Sequence, residues 1–442
     1  MNIVTSDPGQ DAMQKLQNQW YNTIVVALKL DPNSFQLIQA QSPLSNTSKG
    51  LWQYFDSVPP KSLTQVFSQS AINSFFDDYL TVIITIIPQA SDKFRVIMGD
   101  NLDAWEVYKK TLKPGDVAKD GIFSAFQAWA DINLDPDIAT NAITAYQQLQ
   151  NGVVSLAVNA VLNQANLSSD GRPTFSKTMQ ELRDAITHGA TKTFSFDSTT
   201  AIDDVSQTWA KGEVNGTYDF FSGSAGSEYT QLSQKATSSR VTVQGSFQKV
   251  ISFAAGPGKW FNSSALALAY GTTDNTVWPA GQKPDWETTF GEQGNLQRLL
   301  TELIVVDGIE ISVTSHVSYD ATEQQTIKAE ASTSFWPFFS ANASGGHSTD
   351  ITFNASGEMT VTTTVPLGNP AIFGVNVLPI SKVLGHNLGL ASPLLTVDEL
   401  QAVPNACTYN GKSYPSGAQV CMENKMKQCQ KDGSWHWTRR YC

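Results

Sequence analysis

Between about Ala236 and Pro366 the chain alternates apolar with small polar residues in three long runs. In the first, Val241, Val243, Phe247, Ile251 and Phe253 share one parity, and Thr242, Gln244, Ser246, Gln248 and Ser252 share the other. The second begins at Ile309 with Ile311, Val313, Val317 and Tyr319 in phase, and continues through Thr326–Phe335. The third joins Ser348–Phe353 to Met359–Val365. Period-two alternation rich in β-branched residues predicts strands with one buried face. A run of about 13 residues extends on the order of 40 Å, well beyond an ordinary strand of about 5–6 residues.

Upstream the period is helical. Asp7-Pro8 can start a helix through Leu16, Trp20, Ile24 and Leu28, with Asp31-Pro32 opening a second, short one. Ser62 can cap a helix through Val66, Ala71, Phe75 and Phe76. Ile83–Ile87 fits either a buried strand or that helix's apolar end, and Phe94–Met98 a strand or a helix entry. Further helices are expected over Asp103–Leu112 and Gly121–Ala130, one long helix from Asp135-Pro136 to Leu162, and one over Thr178–His188. Within the strand region, Leu296, Leu299, Leu300 and Leu303 have helical spacing, which predicts a helix over Gly291–Ile304. Asn369–Leu384 reads as a closing strand and a turn of helix. The expected fold class is α+β: a mostly helical domain over 1–190, an elongated Ser/Thr-rich antiparallel β domain over 191–392, a linker over 393–404 and a small disulfide-rich module over 405–442.

Charged residues are only 16% of the chain, below the usual share of about 25%, so its polar surface must come from Ser, Thr, Asn and Gln. That suits an extracellular β protein. A formal charge of −11 argues against a nucleic-acid partner. The first residues lack the basic start and apolar core of a secretory leader, so an extracellular location is expected without an evident signal peptide. No apolar run reaches the roughly 18–20 residues of a membrane-spanning helix.

The enzyme motifs sought are missing. There is no His-Glu-x-x-His, no Gly-x-Ser-x-Gly and no phosphate-binding Gly-Lys loop, and Gly256-Pro-Gly-Lys259 has neither the spacing nor the hydroxyl residue of one. His316 and His347 lie on neighbouring runs, but two histidines make a weak metal signal. Asp131–Asp137 fails as a calcium loop, with Pro136 where glycine is required and Ala142 in place of the bidentate Glu. No catalytic residue, metal or cofactor is expected.

The four cysteines, Cys407, Cys421, Cys429 and Cys442, all fall in the tail. They read as two disulfides; zinc is the competing reading, although no Cys-x2-Cys pair is present. After a turn at Lys431–Gly433, Trp435 and Trp437 share a strand face. With Tyr441, Arg439 and Arg440 they form a candidate surface for stacking on sugars or sitting at a lipid interface. Phe335, Trp336, Phe338 and Phe339 lie between two alternating runs and are candidate membrane contacts.

The expected role is non-enzymatic engagement of membranes or cell surfaces, in the manner of a pore-forming toxin with amphipathic hairpins that assembles as a homo-oligomer. Barrel strands need only about 9–11 alternating residues per crossing. The alternative is a carbohydrate-binding adhesin or a structural assembly protein that never inserts. The partner is accordingly a membrane lipid or a cell-surface glycan.

Overall fold

The computed structural model describes residues 8–39, 44, 46–59, 67–68, 74–87, 92–117, 121–200, 231–232, 235–236, 238–272, 277–279, 281–291, 294–330, 346–384, 407–409, 412–414, 419–422, 425–430 and 434–441. The chain divides into two compact units, Met1–Leu390 and Ala391–Cys442. The fold is α+β with an antiparallel main sheet.

In the larger unit, α1 (Pro8–Leu28) leads to β1 (Phe35–Gln39), α2 (Ser48–Phe55), β2 (Phe67–Ser68) and α3 (Phe75–Thr85). Helices α4 (Asp92–Met98), α5 (Asn101–Thr111), α6 (Ile122–Asn133), α7 (Pro136–Gln147), α8 (Val153–Leu162) and α9 (Met179–Thr187) follow. The sheet is then built from β3 (Ala190–Asp197), β4 (Val241–Ala254), β5 (Arg298–Ser315), β6 (Ser348–Phe353), β7 (Met359–Val365) and β8 (Ala371–Pro379). Between them lie α10 (Ser263–Gly271), α11 (Trp286–Thr289) and α12 (Ala321–Glu330), and α13 (Ile380–Val383) follows β8.

β5 is the spine. From Glu302 to Ser315 β4 pairs with it, Val241 opposite Ser315 and Ala254 opposite Glu302. On its other side two strands share it end to end: β8 pairs with Arg298–Val306 and β7 with Ile309–Ser315. β3 pairs with β4, β6 with β7, and β1 joins β8 to β2. The handover from β8 to β7 falls opposite Asp307-Gly308. The buried Asp307 carboxylate accepts backbone N–H bonds from Gly308 (2.9 Å), Gly368 (3.0 and 3.1 Å) and Asn369 (3.0 Å). It thereby fixes the loop 366–370 that separates the two partner strands. Gly308 has φ +66°, and a Cβ there would meet Gln248 Cβ at 2.8 Å and Leu367 Cδ2 at 2.9 Å.

Here the sheet also changes faces. Before the corner, Leu303, Val305 and, on β4, Phe253 pack against the helices α2–α10, while Ile304 and Val306 pack under α1. Beyond it, Ile309, Ile311, Val313, Val241, Val243 and Phe247 all lie on the α1 side. Ile251 and Phe253, in phase with Phe247 in the sequence, therefore point to the opposite layer. Among the described residues one half of the sheet is thus covered on both faces, and the other on one. Phe194 closes the gap at Gly245, where a Cβ would lie 2.2 Å from its ring, and packs against Trp20 and Phe247.

Several expectations are corrected. The leucines of Gly291–Ile304 form a strand, because this part of β5 is buried on both faces and reads as a continuous apolar run. Asp31-Pro32 opens a turn into β1, whose Phe35 and Leu37 fill the sheet core. Of the helix expected from Ser62, residues 60–66 and 69–73 lie outside the described residues, Phe67–Ser68 is a strand, and Phe75 begins α3 with Ser74 as its cap. Ile83–Thr85 ends that helix, Phe94–Met98 is helical, and the long helix from Pro136 breaks between Gln147 and Val153. Thr326–Glu330 is helical rather than extended.

Asp56 fastens α3 from the preceding helix end: its carboxylate accepts Phe76 N–H (2.8 Å) and Ser74 Oγ–H (2.7 Å). Burial nonetheless pushes its carboxyl up to about 6. Raised above its unfolded value, this group contributes most below about pH 4, and its contribution declines as pH rises towards 6. Asp56→Asn, which does not titrate, is expected to gain about 2–3 kcal/mol relative to the parent between pH 4 and 7. Denaturant unfolding at the two pH values reads this. Asp307→Ala is expected to cost about 3 kcal/mol by leaving three N–H groups without their acceptor, as a lower unfolding midpoint at constant slope.

Candidate functional site

Two connections of equal length, residues 198–240 and 316–358, leave the sheet from the same end: the first joins β3 to β4, the second joins β5 to β7 and carries α12 and β6. Their junctions with the strands form one polar row. Arg240 grips Asp197 through Nε (3.1 and 3.2 Å) and Nη2 (2.6 Å), tying the two ends of the first connection. Asp197 also accepts Thr199 N–H at 3.0 Å. His316 N–H donates to the Arg240 carbonyl (2.9 Å), its Nε2 meets Thr242 Oγ1 (2.9 Å) and its Nδ1 faces Glu358 Oε1 (3.4 Å). The Arg240 guanidinium, then the Thr199 donors, hold the Asp197 carboxyl well below the usual range. Asn354, then His316, lower Glu358.

Beneath this row the connections press on the apolar face of the sheet. Leu232 and Ala236 from the first, and Tyr319 and Ile327 from the second, are buried there. Lys235 Nζ bonds Glu323 Oε1 and Oε2 at 2.7 and 2.6 Å and sits 5.1 Å from the Tyr319 ring centre, pinning one connection to the other. Glu323 has a second task. Its Oε2 accepts Asp320 N–H (2.8 Å) while Asp320 Oδ1 accepts the N–H groups of Thr322 (2.8 Å) and Glu323 (2.9 Å). This reciprocal cap starts α12. The helix therefore runs into a stretch, Thr326–Phe335, whose residues alternate as a strand's do. The Asp-x-x-Glu spacing was its one legible helix signal. The junction residues Asp197, Arg240, His316 and Glu358 carry none, since single charges at strand ends are commonplace.

Among the described residues nothing covers the opposite face of this half-sheet. Thr193, Ser195, Gln244, Ser246, Glu310 and Ser312 line a shallow groove on it. Hydroxyl pairs Ser312–Thr362 (2.8 Å) and Thr314–Thr360 (2.9 Å) run across its strands. Such a surface can hydrogen-bond to a ligand or a neighbouring chain.

In the smaller unit β9 (Cys407–Tyr409) pairs with β10 (Lys412–Tyr414), and β11 (Gln419–Met422), β12 (Lys425–Cys429) and β13 (Trp435–Tyr441) form a three-stranded antiparallel sheet. Trp435 and Trp437 lie on one face of β13, Trp437 exposed and Trp435 half-buried. Lys425 Nζ stands 5.4 Å from the Trp437 ring centre. Arg439, Arg440 and Tyr441 continue the strand, and the backbones of Cys407, Cys421 and Cys429 lie in β9, β11 and β12. Cys442, the turn Lys431–Gly433 and the aromatic run Phe335, Trp336, Phe338 and Phe339 lie outside the described residues. Among the described residues no three His, Cys, Asp or Glu side chains gather as metal ligands, and no helix is long and apolar enough to cross a membrane.

Comparison with family models, with curated proteins and with solved structures found no match to this chain.

Both junction carboxyls titrate lower in the folded chain than in the unfolded one. Their contribution is therefore fully present above about pH 4–5 and is lost as pH falls below it. Arg240→Ala is expected to make the acid side of a plot of Tm against pH between 6 and about 3 less steep, because Asp197, still held by the Thr199 donors, then titrates closer to its ordinary value.

Proposed function

We propose that the chain is a non-enzymatic, secreted pore-forming protein, and that its membrane-crossing strands come from the two connections rather than from the sheet itself. The observation that supports this most is α12: its second half, Thr326–Glu330, opens a run that alternates as a strand's does, yet it is folded as a helix on the connection between β5 and β7, which already pair in one sheet. Drawn out, each connection extends an existing antiparallel pair in its own register, β3 with β4 and β5 with β7. Arms of roughly 20 residues exceed the about 9–11 needed per crossing. The strands themselves are poor candidates, since Val241, Val243, Phe247, Ile309, Ile311 and Val313 already fill the core under α1.

The reading extends to self-assembly. Among the described residues β3 pairs on one side only, and drawing out the second connection takes β6 off β7, so each edge has backbone groups that a second copy can bond. In the tail, two disulfides among Cys407, Cys421, Cys429 and Cys442 would staple a unit too small to build a large core. The Trp435 and Trp437 face supports the alternative, an adhesin that binds carbohydrate without inserting.

Dye-loaded vesicles, including vesicles of target-cell lipid extract, test the proposal. Release together with a detergent-resistant oligomer is expected. In Lys235→Cys with Glu323→Cys, a short bis-maleimide bridge should abolish release, and a mono-functional maleimide should leave it. Absence of release from every lipid mixture, or equal release from bridged and unbridged protein, overturns it. Glycan binding without release selects the adhesin.

A further inference from the structure

The three-stranded sheet of the tail sorts its side chains by chemistry. The register places Val420, Lys427 and Trp437 in one row across β11, β12 and β13, with Met422, Lys425 and Tyr441 in the next and Cys429 opposite Trp435. By strand alternation Lys425, Lys427, Trp435 and Trp437 share a face, and Gln428, His436 and Thr438 fall on the other. Trp437 is 46% exposed, Lys425 is exposed and Lys427 is partly so. One face therefore presents cations interleaved with indoles.

The charge of the chain is divided in the same way. Residues 405–442 hold six basic and two acidic side chains, although the whole chain carries a formal charge of −11. A cationic end on an acidic molecule is drawn to an anionic surface and turns that end towards it. The position of Lys425 narrows the choice of ligand further. Stacking on a sugar needs an open indole face, but the Lys425 ammonium stands over the Trp437 ring at 5.4 Å from its centre. An ammonium beside an indole suits the lipid headgroup layer instead. Ammonium groups pair with phosphate oxygens, and the indole sits at the boundary between headgroups and acyl chains.

We infer that the face carrying Lys425, Lys427, Trp435 and Trp437 docks on anionic phospholipid. This rests on the reading that the chain acts on membranes, and it names the lipid charge recognised and the side chains that recognise it. The two lysines supply the dependence on anionic lipid, and Trp437 supplies contact common to all lipid surfaces.

Co-sedimentation of the full chain with vesicles tests this separately from release. Binding to mixed phosphatidylcholine and phosphatidylserine vesicles is expected to exceed binding to phosphatidylcholine alone and to fall with added salt. Lys425→Ala with Lys427→Ala should weaken binding to the anionic vesicles roughly tenfold to thirtyfold, from about 1 kcal/mol per cation near an anionic surface, and leave binding to neutral vesicles unchanged. Trp437→Phe should weaken both. Because these side chains are exposed or half-exposed, an unchanged far-ultraviolet circular dichroism spectrum and unfolding midpoint serve as the check on folding for the lysine variant. Equal binding to neutral and anionic vesicles, an unaffected lysine variant, or binding to a neutral oligosaccharide in place of vesicles overturns the inference. Lipid-selective binding without release leaves this inference standing and removes the pore reading; release from vesicles indifferent to both lysines does the reverse.

Discussion

A single buried carboxylate lets one strand serve two partners. β5 is continuous from Arg298 to Ser315, but β8 and β7 share its length, and the loop between them has to turn inside the sheet. Backbone N–H groups at such a corner have lost their ladder partners and need an acceptor. Asp307 provides it to Gly308, Gly368 and Asn369 at once. Gly308 permits the left-handed turn and the close approach of Gln248. With that corner in place, β1 and β2 can flank one half of the sheet while β6 flanks the other.

The corner also decides what each half is for. On one side of it both faces are buried, by α1 and by the helical layer, and the sheet acts as a partition between two cores. On the other side, among the described residues, only the α1 face is covered. The second face is left to Ser, Thr and Gln, whose hydroxyl pairs span the strands. The two long connections arise only from this one-sided half. Their ends meet in the row Asp197, Arg240, His316 and Glu358, and their nearer parts are held down by Leu232, Ile327 and the Lys235–Glu323 pair. A firm partition and a polar, ion-paired exit row thus sit on the same strands.

The smaller unit adds a different physics. Its short strands place cations and indoles on one face of a small sheet, on a chain that is otherwise acidic. Attraction over distance and anchoring at contact would then come from the same few residues.

Local patterns determined much of this protein by themselves. Alternation located β4, the distal half of β5, β6 and β7, helical period located α1 and most of α5–α9, and Trp435 and Trp437 were placed on a common face. Each rests on a periodicity that a strand or helix imposes whatever surrounds it. Tertiary structure alone decided the rest. Leu299, Leu300 and Leu303 have helical spacing, yet they lie in a strand because layers on both faces of the sheet make every position there apolar. Ile251 and Phe253 keep the parity of Phe247 but face the other core, because the turn at Gly308 and its partner residues reverses the faces. Thr326–Glu330 alternates as a strand does and is held as a helix by the Asp320–Glu323 cap and by the burial of Ile327. The exit row joins residues up to about 160 positions apart, so no local window contains it. Periodicity reports which positions are apolar; which surface each one meets depends on what the rest of the chain lays against it.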